Sequence, residues 1–193
     1  MLTEKKLDKD VYYMYVSTML LIQEMYNSKR TIIDKACEST INKFYEFCGY
    51  QTDEKLISAM YGYSTMTVEY LTKTSAIMNM YSTFEQYIKA EYGIETSGKE
   101  SLLPKLSSKY EYDLNSNQYY GNVEKYRQLY NALKHGKPTK EFMKNYPNMV
   151  DKDNLELGSL GNAFSITSDD IRECCSSLIQ FTKQLNKDLK NKK

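Results

Sequence analysis

The sequence predicts an all-α fold, a bundle of four to five helices in a single domain spanning residues 1–193. Three observations lead there. Apolar residues recur at helical spacing over long stretches of the chain. Only 8 Gly and 3 Pro occur in 193 residues, too few turn formers for a sandwich of many short strands. Cap and stop signals bracket the periodic stretches, as at Thr167 and Gly136. A hydrophobic fraction of 41% with 26% charged residues is the balance of a chain that buries a core, not of a disordered one.

In chain order, a first helix is expected from about Asp8 to Tyr26, with Val16, Met19, Leu20 and Ile22 facing a core. Asn27-Ser28 ends it. A second helix is read from Thr31 to Phe47, since Ile33, Ala36, Cys37, Ile41, Phe44 and Phe47 share a face. Thr52 followed by Asp53-Glu54 starts a third segment that reaches Tyr92-Gly93, with Gly62 as the point of a bend or break. Within it Met78, Tyr81, Ile88 and Tyr92 form a stripe, and Glu85 lies in that stripe. A carboxylate there either reaches water at the edge or pairs with Arg127 or His135, because burying it alone is costly.

Residues 94–116 are polar and rich in turn formers and read as a long loop. A helix starting near Asn117 follows and ends at Gly136, with Pro138 beyond it. Wound at 100° per residue, Val123, Tyr126, Leu129, Tyr130 and Leu133 fall on one arc of roughly 120°. Glu124, Arg127, Gln128, Asn131 and His135 fall on another of roughly 100°. The second face is either a plain wet surface or a row presenting a guanidinium, an amide and the chain's one imidazole. Residues 137–166 read as irregular, and the glycine-separated runs of Leu155 to Ile166 are compatible with a small hairpin before the last helix. Thr167-Ser168-Asp169-Asp170 caps that helix, whose core face is Ile171, Cys174, Cys175, Leu178, Ile179, Leu185 and Leu189, with Phe181 less central.

Composition narrows the function. A net charge of +1 leaves no global attraction for nucleic acid or membrane, so a local patch has to serve. Lys134, Lys137, Lys140 and Lys144 crowd around the histidine, whereas the lysines from Lys187 to Lys193 read as a solvated end. Nineteen Tyr without Trp suit amphipathic positions at the edge of a core. Cys37, Cys48, Cys174 and Cys175 form no Cys-x-x-Cys pair, and one histidine cannot complete a usual zinc set, so no metal and no cofactor is expected. The polar N-terminus is unlike a signal peptide, and the longest apolar run, Tyr15 to Ile22, is too short to span a bilayer. A cytoplasmic protein with no membrane partner is expected.

At Asn131-Ala-Leu-Lys-His135-Gly the chain resembles a HEPN-superfamily domain. Tyr81-Ser-Thr-Phe84-Glu85-Gln-Tyr-Ile88 is similar to the helix preceding the motif in such domains, and Phe164 through Leu185 to the closing turn and helix, so the likeness covers roughly residues 60–190. The resemblance implies a helical bundle and a metal-independent ribonuclease site, usually at a dimer interface, in a toxin or antiphage setting. Other members have lost the motif and bind a protein partner or nucleotide. His135 matches the superfamily's catalytic histidine and Asn131 its neighbouring asparagine. Tyr130 stands where the arginine usually does, and Arg127 lies eight residues before the histidine. The roles implied are acid/base for His135, phosphate clamp for Arg127, orienting hydrogen bonds for Asn131, supporting contacts for Glu85 and Glu124, and phosphate binding for Lys134, Lys137 and Lys140. The partners implied are an RNA substrate, a second copy of the chain, and an antitoxin or regulatory protein.

Chemistry states what such a site needs. Attack by RNA's own 2′-hydroxyl requires a base, an acid for the leaving oxygen and a cation for the phosphorane. An imidazole titrates near neutrality and suits the first two roles, but one chain supplies one histidine. Two copies would bring two.

Overall fold

The computed structural model describes residues 4–27, 43, 46, 54–96, 101–151 and 163–191. Among them the chain is all-α: α1 (Glu4–Asn27), α2 (Glu54–Tyr92), α3 (Leu102–Tyr110), α4 (Tyr120–Lys134), α5 (Lys140–Asn145) and α6 (Ser168–Lys190). Single 3-10 turns, Leu114–Ser116 and Pro147–Met149, lead into α4 and out of α5. The helix read over 31–47 lies outside the described residues except Lys43 and Glu46, which are helical. α2 passes through Gly62 without a break. No helix among the described residues is long and apolar enough to cross a membrane.

Four long helices pack on one another, α6 touching α1, α2 and α4. Named contacts fix their directions. The Phe84 ring meets Phe181 edge-on at 5.8 Å, and Tyr87 and Tyr92 both hydrogen-bond Asn186, so α2 and α6 run parallel. Asn186 also donates to Glu4, and Lys183 pairs with Asp8 at 3.0 Å, which sets α1 antiparallel to α6. Asn117 donates to the Phe181 carbonyl and Tyr126 to Glu173, which sets α4 antiparallel to it as well. Phe181 is therefore central, fully buried against Phe84, not peripheral as its spacing had implied. Among the described residues the buried side chains form one cluster drawing on each of α1 to α6.

Two stretches expected to be irregular hold helices. Within 94–116, Leu102, Leu103 and Leu106 are buried on α3, an i, i+1, i+4 pattern hidden among serines and lysines. Pro104 stands in the first turn, where its missing N–H has no helical partner to lose. Lys109 donates to the Tyr92 and Gly93 carbonyls and Tyr110 to that of Tyr92, fastening α3 over the end of α2. Within 137–166, Thr139 caps α5 by accepting from the Phe142 N–H at 3.1 Å, and Phe142 is fully buried. The hairpin read over 155–166 falls largely outside the described residues. What they hold is a single antiparallel bridge, Val150 with Phe164.

The ends of α4 position the site. It begins at Tyr120, three residues later than Asn117, because the Asn117 side chain is spent elsewhere. That amide is buried, donating to the Tyr112 hydroxyl and the Phe181 carbonyl while its oxygen accepts from the Tyr119 N–H. At the other end Gly136 takes φ +72°. Its N–H donates to the Leu133 carbonyl and that of Lys137 to Ala132, both at 3.1 Å, which closes a Schellman motif.

Candidate functional site

α4 buries Val123, Tyr126, Leu129 and Ala132. The inward arc therefore extends past Leu129 to Ala132, and Tyr130 and Leu133 lie half-buried at its edge. Tyr130 stacks on the fully buried Tyr81 of α2, ring centroids 5.1 Å apart. Tyr130 thus fastens α4 to α2 through an aromatic contact. Burial holds the Tyr81 hydroxyl well above its ordinary pKa, and the nearby Glu85 carboxylate adds to this.

Arg127 does not stand free. Its Nε donates to Glu124 Oε2 and its Nη2 to Glu124 Oε1, both at 2.6 Å, a two-pronged grip within one turn of helix. Gln128 Nε2 donates to the same Oε1 at 3.1 Å. The hydrogen bonds that Arg127 donates to Glu124 raise the guanidinium pKa above its usual value against the opposing effect of burial. Tyr120 and Tyr146 lie close enough for this pair to act on their hydroxyls, which burial first and then Glu124 push upward. Gln128 Oε1 is buried with no hydrogen-bond partner among the described residues.

Glu85 is half-buried at the edge of the α2 stripe, whose centre is Ile77, Met80, Tyr81, Phe84, Tyr87 and Ile88. Among the described residues it makes no ion pair within 4.0 Å, so neither Arg127 nor His135 pairs with it directly. Burial raises its pKa, offset in part by Lys89, Lys134 and Arg127.

His135 is the C-cap residue of α4 and is exposed, as are Lys134, Lys137 and Lys140. Its backbone N–H donates to the Asn131 carbonyl at 3.1 Å, and the Asn131 side chain is half-buried. About 12 Å of axial rise separates Arg127 from His135 along the helix. One chain thus holds two sub-sites on one face: a guanidinium already gripped by its own carboxylate, and an imidazole among lysines at the helix end. Among the described residues, His135, Lys134, Lys137 and Lys140 enter no ion pair, whereas Arg127 is paired with Glu124.

Sequence reasoning missed a third polar group on α4. Lys125 and Tyr126 donate to Glu173 Oε2 of α6 at 2.6 and 2.8 Å, and Lys125 lies 3.5 Å from Asp170. Burial pushes the Glu173 carboxyl upward, but the hydrogen bonds from Lys125 and Tyr126 outweigh it and hold the group below its ordinary pKa. The trace in the sequence was Tyr126, a hydroxyl inside an otherwise apolar arc. Of the adjacent thiols, Cys175 donates to the Val11 carbonyl at 3.9 Å. Cys174 and Cys175 are buried, and burial pushes Cys175 up to about 11, which disfavours the reactive thiolate.

No protein-family model, curated protein or solved structure matches the chain.

Proposed function

We propose that the chain is a HEPN-like, metal-independent ribonuclease that cleaves RNA by attack of the substrate's 2′-hydroxyl at a site completed by a second copy. His135 serves as the acid/base group. Lys134, Lys137 and Lys140 attract the phosphates, Asn131 orients, and Arg127 supplies a further cation once released from Glu124. The setting is a toxin or antiphage system in the cytoplasm, restrained by an antitoxin or regulatory protein. The observation that carries this reading is the exposure of His135 together with those three lysines along the turn from α4 into α5. A flexible polyanion can touch all four, and histidine titrates in the range that acid/base catalysis needs. One imidazole per chain makes the second copy a chemical requirement for a paired acid and base.

A second reading has its own support. Tyr130 is engaged with Tyr81 and Arg127 with Glu124, as in a bundle that has given up catalysis and binds a protein partner or nucleotide. Incubation with labelled RNA in EDTA separates the two. On the nuclease reading wild type cleaves and His135→Ala loses about 10²-fold or more of that rate. Equal background in both proteins leaves the binding reading.

A further inference from the structure

The grip of Glu124 on Arg127 has the geometry that a phosphate would need. A guanidinium recognises an oxyanion by two parallel N–H···O bonds, and both donors of that edge, Nε and Nη2, are already given to Glu124. The carboxylate is in turn held by Gln128. Both partners are nevertheless within reach of solvent, with about a quarter of each side chain exposed, 28% for Arg127 and 26% for Glu124. We infer that Glu124 is a built-in anion that shuts the Arg127 sub-site, so that a phosphate group is held there only after it has displaced this carboxylate.

The inference deepens the ribonuclease reading, on which its biological meaning rests, because it concerns the cation assigned there to the phosphate. Its physical content is separable. An internal phosphodiester carries the same single charge as the carboxylate it would replace, and so gains little by exchange. A phosphate monoester carries about 1.5 to 2 negative charges near neutral pH and competes better. The pair thus biases the sub-site towards phosphate monoesters, so within the ribonuclease reading Arg127 takes a terminal phosphate of the RNA and not the phosphodiester being cleaved.

Inorganic phosphate, which shares the monoester's charge, is the probe. The Arg127 Nε–H resonance, identified by its loss in Arg127→Lys, is followed during titration of wild type and Glu124→Gln. The substitution keeps the side chain's shape and removes its charge. Phosphate is expected to bind Glu124→Gln about two- to fivefold more tightly than wild type, with the Arg127 Nε–H shifting as it does so; exposed ion pairs set that modest scale. Equal affinity in the two proteins overturns the inference, and so does tighter binding that leaves the Arg127 resonance unmoved. Neither outcome bears on RNA cleavage, which His135→Ala scores separately.

Discussion

At Gly136 a positive φ is met by the one residue type that adopts it without strain. The turn it makes leaves His135 at the exposed helix end instead of continuing the helix past it. Gly136→Ala is expected to lower stability by about 1 kcal/mol, read as a shift in the denaturant midpoint with unchanged m-value. Glu85 gives the clearest titration test. Its folded-state pKa lies above its usual 4.5 because it is half-buried, an effect that Lys89, Lys134 and Arg127 offset only in part. As pH rises through 4.5 the unfolded chain ionises this group first, so ionisation draws the equilibrium towards unfolding until the folded group ionises too. Glu85→Gln removes that pull. The variant is expected to be more stable than wild type at pH 7, with the gap closing as pH falls below about 4.5. A gap independent of pH would show that the charge is not its source.

At the scale of elements, α6, like α2, touches each of the other long helices. Its start is a complete capping box: Thr167 Oγ1 accepts from the Asp170 N–H, and Asp170 accepts from the Thr167 N–H. Thr167→Ala should cost about 1 kcal/mol in chemical denaturation. Phe181→Ala should cost about 3–5 kcal/mol, since it empties the contact with Phe84 at the centre of the bundle. A cost near zero would mean that the α2–α6 contact is not where the core is held. These same elements show what a sequence discloses. The cap, the apolar period of α6 and the stop at Gly136 were legible because each is a local signal with a local cause. α3 and α5 were not, because each is too short for its few apolar residues to establish a period and is held by distant groups, as Lys109 is by the Tyr92 carbonyl. The candidate site divides along the same line. The polar row from Glu124 to His135 follows from helical spacing, whereas the lock between Arg127 and Glu124 depends on rotamers. The stack of Tyr130 on Tyr81 depends on a partner 49 residues away.

For the molecule as a whole, the proposed ribonuclease mechanism takes its second acid/base group from a second copy, so on that reading activity is expected to follow the fraction of chain in dimers. Light scattering across a dilution series, run beside the cleavage assay, should show rate and mass falling together; full activity at monomer mass would remove the second copy from the mechanism. The chemical step itself is read most directly from the ends of the cleaved RNA. Attack by the 2′-hydroxyl with His135 as acid/base predicts a 2′,3′-cyclic phosphate on one product and a 5′-hydroxyl on the other, formed in EDTA by wild type and lost in His135→Ala. Products bearing 5′-phosphate ends, or the same ends in equal amount from His135→Ala, would contradict it.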